Sequence, residues 1–213
     1  MIDTSVHAVF WDFGGVILTS PFEAFNHYEL ANGLPRDFIR SVNATDSDTN
    51  AWARLERNDI TTAEFDEVFA HESSRRGHRV SGADVLSLLS GDVRPEMIVA
   101  LDRVIAAGLI TACLTNNVVS DDRSGPADPL VTEVMAKFDL VIESSKVGVR
   151  KPETRFYDIA CELAGVRPEQ CVFLDDLGIN LKPARAMGMR TIKVVSADEA
   201  IDDLAAALNL DLR

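Results

Sequence analysis

Val9-Phe-Trp-Asp-Phe-Gly-Gly-Val16 is an apolar run that leads into a carboxylate, Asp12, and two glycines. Its aromatic and β-branched residues predict a fully buried strand, and the glycines predict a tight turn directly after it. Strands buried on both faces occur in parallel sheets covered by helices. Ligands bind at the carboxyl edge of such sheets, where the strands end. The segment therefore predicts an α/β fold with Asp12 at the ligand-binding edge.

Three further polar segments follow runs that are also predicted to be buried strands. They are Thr115-Asn116, Lys151 before a proline, and the pair Asp175-Asp176. Adjacent carboxylates repel each other and need a cation or hydrogen-bond donors nearby. Three carboxylates, a hydroxyl and an ammonium at one sheet edge can hold a divalent cation together with a phosphoryl group.

Short apolar runs alternate with helical patterns from Pro95 onward. The predicted strands are 7–13, 109–114, 139–142, 171–174 and 191–195. The first predicted helix runs from Pro95 to the stop at Gly108, with Ile98, Leu101 and Ile105 on one face. The second opens at Pro152, with Phe156, Ile159 or Ala160, and Leu163 inward. Two more are predicted over 180–187 and 198–208. This alternation predicts a Rossmann-like three-layer core, in which a parallel sheet lies between two layers of helices.

Residues 19–93 interrupt this alternation, because they are predicted to be helical and polar. Within them, Thr61-x-x-Glu64 is a capping box, the pattern that opens a helix. We therefore expect an α/β core domain of residues 1–18 and 94–213, and a helical cap domain of residues 19–93 inserted after the first strand.

The composition limits the classes of partner. The 213 residues carry a formal net charge of -13, which argues against binding to nucleic acid. No apolar run approaches the length of a membrane span, and the N-terminal segment lacks the basic and apolar regions of a signal peptide. We expect no membrane partner and a cytoplasmic location. The three cysteines lack paired spacing, which predicts buried free thiols.

Four segments resemble the four ordered motifs of the haloacid dehalogenase (HAD) superfamily: Asp12-Phe-Gly-Gly-Val, Leu114-Thr-Asn-Asn, Lys151-Pro and Leu174-Asp-Asp-Leu-Gly-Ile-Asn180. The second half of the chain is similar to the phosphatase-like N-terminal domain of soluble epoxide hydrolase and to the corresponding domain of certain acyl-CoA dehydrogenase family members. The resemblance covers essentially the whole chain, weakly in the cap. It implies a HAD-like hydrolase, specifically a phosphoric monoester hydrolase.

The resemblance also implies roles for individual residues. Asp12 would be the nucleophile that forms an aspartyl phosphate. Mg²⁺ would be held by Asp12, the backbone carbonyl of Gly14 and Asp176. Asp175 would be either a further, water-mediated contact or an acceptor behind the ligands, and Asn180 would orient that loop.

The remaining motif residues would bind the substrate, which the resemblance implies is a small phosphorylated metabolite. Thr115 and the following backbone N–H would donate hydrogen bonds to the phosphoryl oxygens, and Asn116 would assist. Lys151 would neutralise the remaining charge and keep Asp12 ionised. Together these groups form the electrostatic clamp on which phosphoryl transfer depends.

Gly14 departs from the family pattern. Most phosphatases of the superfamily carry a second Asp at this position, which protonates the leaving alcohol and then activates water. A positioned general acid–base contributes about 10²–10⁴-fold. Candidate replacements in this chain are Glu23, His27, Asp121 and Asp122.

Three functions therefore remain open at the level of sequence. The first is a phosphatase that is slow, acts on substrates with good leaving groups, or uses a replacement acid. The second is a slow or inactive phosphate-binding domain with a regulatory role. The third is a hydrolytic dehalogenase, which needs Asp12 but no metal. The Asp175-Asp176 pair argues against the third, since unneutralised acids repel a carboxylate substrate.

Overall fold

The computed structural model of the protein describes residues 5–119 and 128–213. Within them, five parallel strands form one sheet in the order β3-β2-β1-β4-β5. The strands are β1 Ala8–Trp11, β2 Ile110–Thr115, β3 Leu140–Glu143, β4 Cys171–Asp175 and β5 Arg190–Lys193. The first strand is therefore central, and the carboxyl ends of β2 and β4 lie on either side of its own.

Helices precede or follow every strand of this sheet in the described ranges. They are α1 Phe22–Ala31, α2 Phe38–Asn43, α3 Ala51–Glu56, α4 Thr62–Arg75, α5 Gly82–Ser87, α6 Pro95–Ala106, α7 Pro129–Met135, α8 Ser144–Val147, α9 Thr154–Ala164, α10 Gly178–Ala186 and α11 Ala197–Leu208. A wide turn over Phe13–Ile17 follows β1, and a short 3₁₀ turn over Pro168–Gln170 precedes β4.

Alternate side chains of β1 enter two separate hydrophobic layers, as the pleat of a strand requires. Val9 and Trp11 pack in the layer that contains the buried residues of α6 and α11. Ala8 and Phe10 pack in the layer that contains those of α9 and α10. The predicted α/β class, a parallel sheet with helices on both faces, is confirmed.

Helices α1–α5 form the helical cap that the sequence predicts after the first strand. They bury a hydrophobic cluster of their own, which includes Phe65 and Phe69. Helix α4 begins at the predicted capping box: the Glu64 N–H donates to the Thr61 hydroxyl oxygen at 3.2 Å, and the Thr61 N–H donates to the Glu64 carboxylate at 2.8 Å.

The chain leaves the core and returns to it at adjacent points. Leu18 and Val93 form an antiparallel bridge, and the Thr19 N–H donates to the Asp92 carbonyl oxygen at 2.8 Å. The two crossings therefore lie side by side where the division between core and cap was expected. The boundaries at 18/19 and 93/94 themselves stay a prediction.

Leu163 is predicted to face inward, and this prediction is wrong, because the residue is 59% exposed. Ile105, predicted to share one face with Ile98 and Leu101, is 37% exposed. In α6 the inner face takes Val104 instead, and in α9 it takes Ala160 and Ala164. Each predicted residue lies one position from a buried one, and a shift of one residue rotates a helical side chain by about 100°.

All three cysteines are buried and free, as predicted. Within residues 5–119 and 128–213, none of the helices combines the length and the apolar character needed to cross a bilayer.

Candidate active site

The strand ends bring three of the predicted site residues to one edge of the sheet. Asp12 directly follows β1, Thr115 is the last residue of β2, and Asp175 is the last residue of β4. The Asp12 N–H donates to the carbonyl oxygen of Leu174 at 2.9 Å, which extends the pairing of β1 and β4. Sheet hydrogen bonds therefore fix the backbone of Asp12.

Lys151 connects the ends of the first and fourth strands. Its side chain is 1% exposed, and its Nζ lies 2.7 Å from Oδ1 of Asp12 and 2.8 Å from Oδ2 of Asp175. Its backbone is held on both sides by one side chain: the Lys151 N–H donates to Oδ1 of Asn116 at 2.9 Å, and its carbonyl oxygen accepts from Nδ2 of Asn116 at 3.0 Å. One ammonium therefore bridges two buried carboxylates.

Asp175 is fully buried, and its carboxylate is surrounded by donors. Besides Lys151, Nδ2 of Asn180 lies 3.1 Å from both of its oxygens, and the Leu177 N–H donates to Oδ1 at 2.8 Å. The Tyr157 hydroxyl in turn donates to the Asn180 carbonyl oxygen at 2.7 Å. These bonds orient Asp175, which in turn orients Lys151.

Asp176 turns toward the glycine turn that follows β1. Gly15 has φ +78°, and a Cβ at that position would collide with the Asp176 carboxylate. The Ser20 hydroxyl approaches Oδ2 of Asp176 at 3.5 Å. Gly14, by contrast, has an extended backbone, and a Cβ there would meet no atom within 4 Å. The close approach of Asp176 to the turn therefore depends on Gly15.

Burial and mutual repulsion shift the protonation equilibria of this cluster. Burial raises the pKa of the Asp12 carboxyl well above its ordinary value, while the Lys151 ammonium acts in the opposite direction. Burial and the charge of Asp175 raise the pKa of Asp176 to about 6. Burial alone would lower the pKa of Lys151, but Asp12 and Asp175 hold it above its ordinary value. Lys151 is therefore a cation at neutral pH.

The three carboxylates are close enough to share a metal ion. One oxygen from each of Asp12, Asp175 and Asp176 lies within 4.8 Å of the other two. When all three are ionised, Lys151 leaves an excess of two negative charges, which a divalent cation would cancel. Mg²⁺ prefers a few carboxylate oxygens together with water and phosphate oxygens. This donor set fits Mg²⁺. The predicted part of the Gly14 carbonyl in holding the ion stays a prediction.

Thr115 and Asn116 differ in how their side chains are used. Thr115 is 7% exposed, and its hydroxyl has no hydrogen-bond partner in the part of the chain that the structure describes, so it can donate to a ligand. The side-chain amide of Asn116 is hydrogen-bonded to the Lys151 backbone and to Glu56, whose Oε2 accepts from Nδ2 at 3.1 Å. A direct contact of Asn116 with phosphate stays a prediction.

Two of the four candidate replacement acids lie in the described part of the chain, and neither is bonded to this cluster there. Glu23 and His27 are exposed on α1 and form no hydrogen bond or ion pair with it within 5–119 and 128–213. Asp121 and Asp122 lie outside the described residues.

Sequence reasoning missed Glu56, which belongs to the cap but reaches this site. It is 6% exposed, accepts from Asn116, and pairs with Arg150, the residue before Lys151. Because the contact joins the cap to the core, the sequence around Glu56 does not reveal it, apart from the spacing of four residues from Trp52. The Trp52 indole N–H does donate to Oε1 of Glu56, at 2.9 Å.

Comparison with known proteins identifies one family over most of the chain. A family model described as haloacid dehalogenase-like hydrolase matches residues 6–188. Acyl-CoA dehydrogenase family member 10 of Mus musculus is 34% identical over 98% of the chain, and bifunctional epoxide hydrolase 2 of Mus musculus is 31% identical over 91%. The chain corresponds to 20% and 37% of the lengths of these two relatives.

A solved structure has the same fold. It is a HAD family enzyme from Bacteroides thetaiotaomicron in complex with magnesium and inorganic phosphate, with a TM-score of 0.57 and 21% sequence identity. The match covers 88% of this chain and 93% of that one.

The two glycines after Asp12 are expected to respond differently to the same substitution. Gly15→Ala places a side chain at positive φ against Asp176, so it should lower the free energy of unfolding by about 2 kcal/mol or more. Gly14→Ala is the matched control and should change it by less than about 0.5 kcal/mol. Urea unfolding of both variants measures this. Equal effects at the two positions would contradict the described packing of Asp176.

Asp176→Asn is expected to stabilise the metal-free protein. Asp176 has a pKa of about 6 in the folded protein against an ordinary 3.8, so its ionisation makes the folded state less stable as the pH rises from 3.8 to about 6. The variant lacks this penalty, so it should gain about 1–3 kcal/mol at pH 7, and the gain should fade as the pH falls toward 4. Thermal unfolding with a chelator measures it. A variant less stable than wild type at pH 7 would show that Asp176 is not under electrostatic stress.

Proposed function

The chain belongs to the haloacid dehalogenase-like hydrolase family, and on that premise we propose that it hydrolyses a small phosphomonoester in a magnesium-dependent reaction. Asp12 forms an aspartyl phosphate in the first step, and water releases phosphate in the second. The observation that carries this proposal is the cluster of Asp12, Lys151, Asp175 and Asp176 at one sheet edge.

Asp12, Asp176 and the Gly14 carbonyl are proposed to hold Mg²⁺, with Asp175 either as a water-mediated contact or as an acceptor behind them. The bound ion would reduce the repulsion between a phosphate dianion and the Asp12 carboxylate. The charges of the described site support its presence, because Lys151 neutralises only one of the three acids. The complex of a related fold with magnesium and inorganic phosphate supports the same pairing of metal and ligand.

One oxygen of Asp12 is better placed for attack than the other. Lys151 and the Phe13 N–H both bind Oδ1, at 2.7 Å and 2.6 Å. We therefore assign the attack on phosphorus to Oδ2. The new Oδ2–phosphorus bond forms as the bond to the leaving oxygen breaks, and the Thr115 hydroxyl donates to a phosphoryl oxygen as charge develops.

Gly14 sets the expected rate and the class of substrate. No carboxyl group occupies the position from which the family's second Asp protonates the leaving oxygen. A leaving group that departs as a stable anion needs no such proton, so aryl phosphates should react faster than alkyl phosphates. The second step also lacks its base, and the aspartyl phosphate should break down slowly.

Asp12→Asn should abolish magnesium-dependent hydrolysis of p-nitrophenyl phosphate, because an amide cannot form the acyl phosphate. Release of p-nitrophenol is the measurement. Asp102→Asn, which removes an exposed acid paired with Lys137 outside the site, is the control and should retain wild-type turnover. Undiminished hydrolysis by Asp12→Asn would assign the activity to another mechanism.

Gly14→Asp should raise the turnover of alkyl phosphates by about 10–100-fold, because it supplies the proton that the leaving alkoxide needs. The site has room, since a Cβ there meets no atom within 4 Å. Gly14→Asn matches the size without the proton and should give no gain. A folded, magnesium-loaded Gly14→Asp protein with unchanged turnover would show that another group already performs proton transfer.

The lack of an acid at Gly14 also favours a second candidate function, a phosphate-binding domain with little turnover. Tight binding of inorganic phosphate with magnesium, without hydrolysis of any member of a phosphomonoester panel, would favour it. Chloride release from 2-chloropropionate without metal would instead favour a dehalogenase.

A further inference from the structure

Two ion pairs of opposite polarity join the cap to the loop that carries Lys151. Glu56 of the cap pairs with Arg150 of the core, and Arg57 of the cap pairs with Glu153 of the core, with Nε 2.8 Å from Oε1 in the second pair. We name these two pairs the cap latch. The cap partners are adjacent in sequence at the end of α3, and the core partners flank Lys151-Pro152.

The first pair of the latch is buried and is linked to the backbone of Lys151. The side chains of Arg150 and Glu56 are 12% and 8% exposed. Glu56 also accepts from Nδ2 of Asn116, the side chain that binds both the N–H and the carbonyl oxygen of Lys151. Glu56 therefore restrains Lys151 through both of its neighbours, Arg150 in sequence and Asn116 in space.

The second pair also acts on the loop backbone. The oxygen of Glu153 that pairs with Arg57 also accepts from the Arg150 N–H, at 3.2 Å. In this loop, the Arg150 N–H is thus bound by the Glu153 side chain and the Lys151 N–H by the Asn116 side chain. The Glu153 N–H also donates to the Arg150 carbonyl oxygen at 2.8 Å, so the loop is a turn whose side-chain contacts the docked cap completes.

Both arginines of the latch also bind backbone carbonyl oxygens of one cap segment. Nη1 of Arg150 donates to the carbonyl oxygen of Ser47 at 3.2 Å, and Nη1 of Arg57 donates to that of Asp48 at 2.9 Å. The Ser47 carbonyl therefore contacts the core, whereas the bond between Arg57 and Asp48 lies within the cap and orients Arg57. A displaced cap would lose the Ser47 contact and both ion pairs of the latch together.

We propose that Glu56, Arg57, Arg150 and Glu153 are positioning residues, through which the docked cap holds the Lys151 ammonium against Asp12. This inference rests on the proposed phosphatase function for its effect on rate, but not for its effect on the loop. When the latch opens, the Lys151 loop loses its restraints and the ammonium no longer holds one position beside the nucleophile. Cap docking and completion of the charge cluster are therefore one event.

The partly exposed pair allows a matched test in the 213-residue chain. Arg57→Glu places like charges opposite each other, and Arg57→Lys keeps a cation opposite Glu153 while leaving Glu153 in place to accept from the Arg150 N–H. Arg155→Glu makes the same charge change in an exposed pair with Glu162 on α9 and serves as the control. Two quantities are measured for each protein: kcat for p-nitrophenyl phosphate with magnesium, and hydrogen–deuterium exchange of the backbone amides of Arg150, Lys151 and Glu153.

Arg57→Glu should lower kcat by about tenfold, with a smaller change in KM, and should speed exchange of the loop amides. Arg57→Lys should keep both quantities within about threefold of wild type, and Arg155→Glu should change neither. Glu56→Gln, which keeps the size but leaves Arg150 without its counter-charge, should lower kcat at least as much as Arg57→Glu.

Unchanged exchange and kcat in Arg57→Glu would overturn the inference. So would an Arg57→Lys protein that keeps the wild-type melting temperature but not the slow loop exchange, because the latch would then serve stability alone. A wild-type protein that hydrolyses no phosphomonoester would contradict the proposed function, and the exchange of the loop amides would still decide whether the cap holds Lys151.

Discussion

A single buried ammonium between two buried carboxylates is the interaction on which the rest of the site depends. Lys151 is 1% exposed and lies within 2.8 Å of an oxygen of both Asp12 and Asp175. Charges at this depth are tolerated only when they are paired and hydrogen-bonded. The structure meets this requirement from several directions: strand pairing fixes Asp12, Asn180 fixes Asp175, and Asn116 fixes the Lys151 backbone.

The same cluster of charges destabilises the fold locally. Three carboxylates share one cation, and the pKa of Asp12 and of Asp176 is raised as a consequence of burial and repulsion. The hydrophobic layers on both faces of β1 offset this cost, since every residue of the strand is fully buried. The core therefore holds in place an arrangement of charges that would separate in a less rigid scaffold. A bound divalent cation would relieve the remaining repulsion.

Much of this arrangement could be predicted from sequence, because it follows from topology. Apolar runs ending in polar residues gave the positions of Asp12, Thr115 and Asp175, and the observed strands begin and end within two or three residues of those predicted. The order of the strands then places these ends together without any knowledge of side-chain contacts. Periodicity was less reliable at the helix margins, where Leu163 was wrongly predicted to face inward.

The contacts between cap and core could not be predicted in this way. Glu56 and Arg150 are 94 residues apart, and neither position carries a local pattern that indicates a buried pair. In the sequence, Asn116 is recognisable as a polar residue at the end of a strand. Its side-chain amide binds the Lys151 backbone, a partner that only the folded chain reveals. Such contacts depend on how the cap helices dock, which hydrophobic periodicity does not encode.

The central claim is that phosphorus becomes covalently attached to Asp12. The most direct test is mass spectrometry of the peptide that contains Asp12, after acid quenching of the magnesium-loaded protein during turnover of p-nitrophenyl phosphate. Because Gly14 supplies no base for the second step, we expect the aspartyl phosphate to accumulate, and the peptide should gain the mass of one phosphoryl group at Asp12 only. Release of p-nitrophenol together with an unmodified Asp12 peptide would contradict the account.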